Sequence, residues 1–170
     1  LKGAEASVLG QQAELADYPS LFQLQHRYLY NKQMFEPVGM LRFSYGRGFW
    51  EEWWCLTDST QGVWVSVDEG DFVMQEPRKS PQAIAGLDSL SEGGQVRVLS
   101  EDWLVTEIGK AEYVGMLGEL PEMVDPARKF HYVHLSRPGS RLITLEYDDP
   151  ADSPAIFEGQ WMDPFKIKTV

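Results

Sequence analysis

The sequence predicts an all-β protein, made of two similar small antiparallel β units of barrel or sandwich type that follow a short N-terminal helix. Two observations favour this fold. Short runs rich in aromatic and β-branched residues follow one another from Phe22 onward, separated by Gly or Asp/Ser clusters, which is typical of strands and turns. A similar succession of runs occurs twice, in residues 19–75 and in residues 95–170, which indicates an internal duplication.

Each segment of the chain is assigned in turn from its residue pattern. Residues 1–18 place small and apolar residues at helical spacing and are followed by Pro19, so they predict one short helix or linker. Residues 19–75 hold the first set of strand-like runs and form the first predicted unit. Residues 76–94 contain two prolines, three glycines and no sustained periodicity, which predicts a linker. Residues 95–170 form the second predicted unit, packed on the first.

A repeated motif supports the division into two units. Val-Gly-Met-Leu occurs at 38–41 and again at 114–117, an offset of 114 minus 38, or 76. Downstream, Trp54 aligns with Tyr132, an offset of 132 minus 54, or 78. The two similar offsets predict two copies packed with pseudo-two-fold symmetry, because neither small sheet can bury a good core alone. A chance match within a β-rich chain is the alternative.

Composition argues against several classes of function. The 170 residues include 15 Lys and Arg against 26 Asp and Glu, a net charge of −11, which argues against a nucleic-acid partner. No apolar run approaches the roughly 18 residues that span a bilayer, so no membrane insertion is predicted. The single cysteine, Cys55, excludes an internal disulfide and any zinc site of paired cysteines, and it favours a reducing, cytoplasmic compartment.

The densest group of functional side chains is the run Phe-Trp-Glu-Glu-Trp-Trp-Cys-Leu at 49–56. On a strand, Trp50, Glu52 and Trp54 share one face, so a carboxylate lies between two indoles. Indole faces attract cations and the carboxylate supplies the opposite charge, which predicts a site for an amine cation. The alternative is that one row of the tryptophans belongs to the core, and that Glu52 caps a backbone group or pairs with an arginine such as Arg42.

Two further acidic residues, Glu107 and Glu119, lie on either side of a strand-like run. If the flanking strands pair, the two carboxylates come together, and such a pair performs general acid and base catalysis when one carboxyl is desolvated. The alternative is a solvated or structural role, with Gly118 and Pro121 marking a bend or a strand end. Both glutamates are candidate ligand-binding residues, and no catalytic residue is predicted.

Acidic clusters occur at matching places in the two predicted units. The first contains Asp68, Glu69 and Asp71, and the second lies within 146–152. Neither supplies the twelve-residue ligand pattern with a distal glutamate that an EF-hand needs, so no metal site is predicted. Solvated hairpin turns are the default interpretation, and a weak site for divalent ions or polyamines is the alternative.

Other signals for catalysis or cofactor binding are missing from the sequence. His131 and His134 are three residues apart, so a strand directs them to opposite faces and they cannot share a metal ion. The sequence has no Gly-x-Ser-x-Gly, no Gly-x-Gly-x-x-Gly and no P-loop motif. We therefore predict no cofactor, and we interpret Cys55 as a small buried residue.

Three stretches of the sequence carry a likeness to a known family: 35–56 with 63–72 after it, 105–121, and 144–162. The matching positions within them are Trp50, Glu52, Trp53, Glu107, Gly109, Ala111, Gly118, Glu119, Leu120 and Pro121. Together the stretches resemble a bacterial family of domains of unknown function, number 4178. The resemblance implies no activity. It implies genes near polyamine-synthesis and membrane-stress proteins, and a preceding zinc ribbon whose cysteine pairs this sequence lacks.

We therefore predict a cytoplasmic, non-enzymatic binding, adaptor or ligand-sensing module. Its aromatic and acidic surface is expected to bind a polyamine-like cationic small molecule or a basic segment of a protein partner. The candidate ligand-binding residues are Trp50, Glu52, Trp54, Asp68, Glu69, Asp71, Glu107 and Glu119. Two alternatives stay open: a hydrolase-type enzyme that uses these carboxylates, and a structural subunit of a membrane-associated stress complex.

Overall fold

Strands account for most of the regular structure in residues 20–59 and 61–170, the part of the chain that this computed structural model describes. In chain order they are β1 (Tyr28–Tyr30), β2 (Gln33–Ser44), β3 (Phe49–Thr57), β4 (Val63–Asp68), β5 (Asp71–Arg78), β6 (Gln95–Val98), β7 (Glu101–Gly118), β8 (Lys129–Arg137), β9 (Arg141–Tyr147), β10 (Ala155–Met162) and β11 (Lys168–Thr169). Two short 3-10 helices span Leu87–Ser89 and Pro164–Lys166. Neither they nor any other helix of the described part is long and apolar enough to cross a membrane.

The all-β prediction is confirmed, and every pairing between strands is antiparallel. The helix predicted for residues 1–18 lies outside the described residues. The strands form one continuous sheet in the order β11-β1-β2-β3-β4-β5-β10-β9-β8-β7-β6. β2 also pairs with β7, so β2 to β5 and β7 to β10 close a hydrogen-bonded circuit, which we call the eight-strand ring. The two predicted units are therefore parts of a single sheet.

Glycine permits the closure between β2 and β7. A Cβ atom added at Gly39 would lie 1.9 Å from the backbone oxygen of Glu119, and one added at Gly118 would lie 2.2 Å from the backbone oxygen of Val38. Gly118 also has a φ of +69°, which side-chain-bearing residues rarely adopt. At this point the Glu119 N–H donates to the Val38 oxygen at 2.7 Å. The two backbones approach closely enough to bond because neither glycine has a side chain.

Apolar side chains fill part of the inside of the eight-strand ring. Strand alternation turns six buried side chains to the inside of the ring. They are Leu41, Phe43, Trp50, Ala111, Phe130 and Tyr132. The ring centroid of Trp50 lies 6.2 Å from that of Phe130 and 5.2 Å from that of Tyr132. Because β3 and β8 are not neighbours in the sheet, these contacts cross the inside of the eight-strand ring.

Two further apolar clusters cover the outer surface of the eight-strand ring. In the first, Phe22 packs edge-on against Trp53 and Phe72, with centroid distances of 5.9 and 5.7 Å. In the second, Leu87 packs with Val96 and Val98 of β6 in the cluster that contains the fully buried Trp103. The outer faces of the central strands are thus occupied by other parts of the chain, and the inner face is left to form a site.

The pairing of the strands does not support the predicted internal duplication. The two Val-Gly-Met-Leu segments pair with each other across β2 and β7. In β2 this segment also pairs with β3, whereas β7 pairs with β8 through 104–112, before its own copy begins. Trp54 is opposite Trp64, ten residues later, whereas Tyr132 is opposite Glu146, fourteen residues later. The aligned residues therefore occupy different places in the two halves.

Residues 76–94, predicted as a linker, contribute to the sheet and to its packing. β5 continues to Arg78, and Leu87 is buried in the second outer cluster. The Gly93 N–H donates to the Val105 oxygen at 2.8 Å, and the Val105 N–H donates to the Gly94 oxygen at 2.9 Å. Part of this segment is therefore fastened to β7. The domain boundaries at 18, 75 and 94 stay predictions.

Candidate functional site

The two faces of β3 carry two different carboxylates. Strand alternation turns Trp50 and Glu52 to the inside of the eight-strand ring and Glu51 to the outside. Outside, Arg42 Nη2 donates to Glu51 Oε1 at 2.5 Å, and Trp53 Nε1 donates to Glu51 Oε2 at 3.0 Å. The alternative pairing of Arg42 with Glu52 is therefore wrong, because the two side chains lie on opposite faces of the sheet.

A small polar cavity lies inside the eight-strand ring, beside the inner apolar residues. Its volume is about 30 Å³, which is room for one or two non-hydrogen atoms. Five strands supply its lining, which consists of Trp50, Glu52, Ser66, Asp68, Gln75, Tyr132, His134, Thr144 and Glu146. We call it the acidic cavity, because three of these side chains are carboxylic acids.

Glu52 is one of the two deeply buried acids of the acidic cavity, with 9% of its surface exposed. Its Oε1 accepts a hydrogen bond from Trp50 Nε1 at 3.2 Å, which is a neutral donor. Burial, followed by the negative charge of Glu146, raises the pKa of Glu52 to about 8. Both effects favour the protonated form of Glu52.

Glu146 is the second buried acid, and it has a cationic partner. Arg128 Nη2 donates to Glu146 Oε2 at 2.8 Å, and Arg128 Nε donates to Asp148 Oδ1 at 2.9 Å. The Arg128 guanidinium also lies 4.2 Å from the centroid of the Phe130 ring. Burial raises the pKa of Glu146, and Arg128 opposes that effect. Arg128 is thus held by two carboxylates and an aromatic ring on the far side of Glu146.

Neutral polar side chains complete the buried part of the acidic cavity. Gln75 and Thr144 are 3% and 6% exposed, and Thr144 Oγ1 donates to Gln75 Oε1 at 3.4 Å. Ser66 lies on β4 opposite Glu52. An amide oxygen has two lone pairs and a hydroxyl can accept as well as donate, so these groups retain capacity to accept hydrogen bonds.

Glu107 contacts two of the side chains that line the acidic cavity. Its Oε1 accepts from the Tyr132 hydroxyl at 2.9 Å, and its Oε2 lies 3.3 Å from His134 Nδ1. The hydrogen bond with His134, aided by that from Tyr132, lowers the pKa of Glu107 to about 2. Gly109 makes room for the Tyr132 ring, since a Cβ atom there would lie 2.4 Å from the ring. Glu107 is therefore an ionised group that orients two lining side chains.

Tyr45 contacts the acidic cavity from outside its lining. Its ring stacks on Trp50 with a centroid distance of 5.9 Å, and its hydroxyl donates to Asp68 at 3.3 Å and lies 3.4 Å from Glu69. Burial, with the charges of these two acids, raises the pKa of Tyr45 to about 12. Burial also raises the pKa of Asp68. Tyr45 is therefore linked to two lining residues, Trp50 through ring stacking and Asp68 through a hydrogen bond.

The eight predicted ligand-binding residues fall at different distances from the acidic cavity. Trp50, Glu52 and Asp68 line it, and Glu107 bonds to two lining residues. Glu69 lies 3.4 Å from the Tyr45 hydroxyl, which also donates to Asp68. The other three residues do not line the cavity; they are Trp54, whose ring lies 5.1 Å from that of Trp64, the exposed Asp71, and Glu119.

Glu107 and Glu119 do not converge as the paired-carboxylate hypothesis required. β7 is one strand from 101 to 118, so Glu107 lies within it and Glu119 follows its last residue. The strand separates the two residues by twelve positions, or roughly 40 Å at full extension. Glu107 and Glu119 therefore do not lie on two neighbouring strands, as that hypothesis assumed.

The sequence analysis misses six of the nine lining residues. Five of them are absent from the predicted site, namely Ser66, Gln75, Tyr132, His134 and Thr144, and the sixth, Glu146, is placed in a predicted solvated turn. That assignment is wrong, since Glu146 is 6% exposed. Alternation within Arg-Leu-Ile-Thr-Leu-Glu-Tyr places Thr144 and Glu146 on one face of β9, and this was the signal available in the sequence.

A second depression lies elsewhere on the surface. Its volume is about 260 Å³, and its lining includes Arg27, Phe35, Glu36 and Leu56. Arg27 Nε already donates to Glu36 Oε2 at 3.1 Å, and no predicted site residue lies there. Although it is larger, it lacks the convergent buried polar groups of the acidic cavity. In the described part of the chain, no three His, Cys, Asp or Glu side chains are grouped so as to hold a metal ion.

Comparison with known proteins places most of the chain in one family model. The model for a domain of unknown function (DUF4178) matches residues 24–164. Neither the curated proteins nor the solved structures include a match to this chain. The matched range contains all of β1 to β10 and every residue that lines the acidic cavity.

Proposed function

Since this chain belongs to the DUF4178 family, whose description names no activity, we propose from the acidic cavity that it is a non-enzymatic binding or ligand-sensing module for a cationic group. The cation belongs either to a small molecule or to a basic segment of a protein partner. The cytoplasmic location predicted from the sequence stays a prediction.

The observation that carries this proposal is an excess of carboxylic acids over cations in the buried site. Glu52 and Glu146 both line the acidic cavity, and Arg128 forms its ion pair with Glu146. Burying a carboxylate without a partner is costly, and Glu52 responds by holding a proton. A bound cation would remove that cost by supplying the missing positive charge.

The walls of the site support the same function. Trp50 lines the acidic cavity with Tyr132 beside it, and aromatic faces attract cations. Asp68 lines the acidic cavity and Glu107 contacts two lining residues, so both acids add negative charge to the site. The net charge of −11 gives the whole chain an attraction for cations at long range.

Binding can be tested by thermal unfolding in the presence of spermidine and of simple alkylamines at fixed ionic strength. A ligand present at about 100 times its Kd adds about 2.7 kcal/mol to the free energy of unfolding. We expect stabilisation of the unmodified chain and none of Glu52→Gln. The matched control is Glu112→Gln, which removes an exposed carboxyl that pairs with Lys129. Equal responses of all three chains would contradict the proposal.

An acid–base enzyme is the second candidate, and one observation favours it. Two glutamates of the site have pKa values pushed apart, to about 2 for Glu107 and about 8 for Glu52. Such a difference assigns a base and an acid in many enzymes. Turnover of aryl glycosides or anilides that is lost in both Glu52→Gln and Glu107→Gln would favour catalysis over binding.

A further inference from the structure

The size of the acidic cavity limits which cationic group can enter it. About 30 Å³ accommodates one or two non-hydrogen atoms, such as a nitrogen and the methylene next to it. A guanidinium or a trimethylammonium group has four non-hydrogen atoms in a rigid cluster. An alkylammonium group presents a single nitrogen with three donors on a thin stem.

The lining supplies acceptors for all three of those donors. Glu52 and Glu146 provide carboxylate oxygens, and Gln75 and Thr144 provide neutral oxygens. The indole N–H of Trp50 is already bonded to Glu52, so it is not offered to a ligand. The site therefore favours a donor-rich cation over an anion or a neutral acceptor.

The next inference rests on the proposed function. We propose that the bound group is a primary ammonium, from an alkylamine or a lysine side chain, and that its entry displaces one proton from Glu52. The ammonium keeps its own charge, and the carboxyl proton of Glu52 leaves for solvent. The cavity thus exchanges one positive charge for another and never holds an unpaired carboxylate at Glu52.

Proton displacement makes the affinity for the amine rise with pH. Below the pKa of Glu52, one proton is released for each ammonium bound, so the affinity increases by about tenfold per pH unit. The other titratable or charged groups that face Glu52 or line the same cavity are Asp68 from β4, Tyr132 and His134 from β8, Glu146 from β9, and Arg128 from the segment before β8.

The test uses the indole N–H signal of Trp50 in nuclear magnetic resonance spectra of the full chain, because this group donates to Glu52. The probes are n-propylammonium, n-propylguanidinium and n-propyltrimethylammonium chlorides at pH 8.5 and equal ionic strength. We expect a saturable shift with n-propylammonium and none with the other two, and about tenfold weaker binding at pH 6.5 than at pH 7.5. The Trp103 indole, which donates to the Val98 oxygen at 3.1 Å, is the internal control.

The outcomes separate this inference from the proposed function. Equal saturable shifts with all three probes would keep the cation site but overturn the assignment to a primary ammonium. No shift with any probe would overturn both. The same shift with potassium chloride would identify a site for a monovalent metal ion and also overturn the assignment. Binding of n-propylammonium with no change in affinity from pH 6.5 to 7.5 would overturn proton displacement alone.

Two variants and one further probe complete the test. Glu52→Gln should abolish the shift, and Thr144→Val, which removes one neutral acceptor without changing charge, should weaken binding several-fold. Each variant must first show a dispersed spectrum like that of the unmodified chain, which indicates that it is folded. Thr144→Val still provides a test if Glu52→Gln misfolds. Nα-acetyl-lysine amide distinguishes the two sources: saturation by it favours a lysine side chain, whereas saturation by n-propylammonium alone favours a small amine.

Discussion

Glu52 shows how one buried side chain can couple stability to pH. Its ordinary pKa of 4.5 rises to about 8 in the fold because burial and the charge of Glu146 disfavour the ionised form. A raised carboxyl pKa favours folding when the group is protonated. That contribution is full below pH 4.5, falls as pH rises, and is lost as pH passes 8.

We therefore predict that Glu52→Gln becomes progressively more stable than the unmodified chain between pH 5 and pH 8. Above pH 4.5 the Glu52 carboxyl is ionised in the unfolded chain and must take up a proton on folding, whereas glutamine is neutral in both states. The difference in free energy of unfolding should therefore grow by up to about 1.4 kcal/mol per pH unit. Urea denaturation at pH 5, 6, 7 and 8 measures it. Glu112→Gln shows the response of an exposed carboxyl. A difference that is constant over this range would show that Glu52 is ionised throughout.

Part of this residue chemistry could be predicted from sequence. Alternation along a strand correctly grouped Trp50 with Glu52, and it correctly separated His131 from His134. Alternation also groups Glu146 with Thr144, but it does not show which face of the strand is buried, and the two aspartates that follow Glu146 suggest a solvated turn. Only the position of Arg128 and the closure of the sheet make that carboxyl an inner residue.

At the scale of single elements, the approach of β2 to β7 depends on two glycines. Gly39 and Gly118 lie opposite each other, and each would place a Cβ atom within 2.2 Å of a backbone oxygen of the other segment. Backbone atoms cannot rotate away as a flexible side chain can. The motif repeat in the sequence marks these strands, but its spacing gives no indication that the two copies pair with each other.

We predict that Gly39→Ala lowers the free energy of unfolding by at least about 2 kcal/mol. The added methyl would push the Glu119 backbone away and lengthen its 2.7 Å hydrogen bond to the Val38 oxygen. Urea denaturation and hydrogen exchange at the Glu119 amide measure the two effects. Gly86→Ala is the matched control, since its Cβ atom would meet only the Pro150 oxygen, at 3.7 Å. Similar stabilities of the two variants would show that the closure tolerates a side chain.

For the whole molecule, the strand content was predictable and the closure was not. Strand runs and turn residues are local signals, so they predicted the all-β fold from Phe22 onward. The pairings of β2 with β7 and of β5 with β10 join residues far apart in sequence, and no local pattern specifies them. The acidic cavity draws its lining from both halves, which is why the sequence yielded only part of it.

The two long-range pairings also decide how the molecule should unfold. We predict one cooperative unit, because separation of the halves would break both ladders and open the inside of the eight-strand ring. Val65 and Val133, both fully buried, provide a matched pair of probes in the first and second outer clusters.

Val65→Ala and Val133→Ala should each lower the free energy of unfolding by about 2 kcal/mol. In native-state hydrogen exchange, each variant should reduce the protection of slowly exchanging amides equally in β2 to β5 and in β7 to β10, since these amides exchange through global unfolding. A loss of protection confined to the half that carries the substitution would contradict this expectation. It would show that the two halves unfold independently. The acidic cavity could then open by separation of β2 from β7 and of β5 from β10 while each half stays folded.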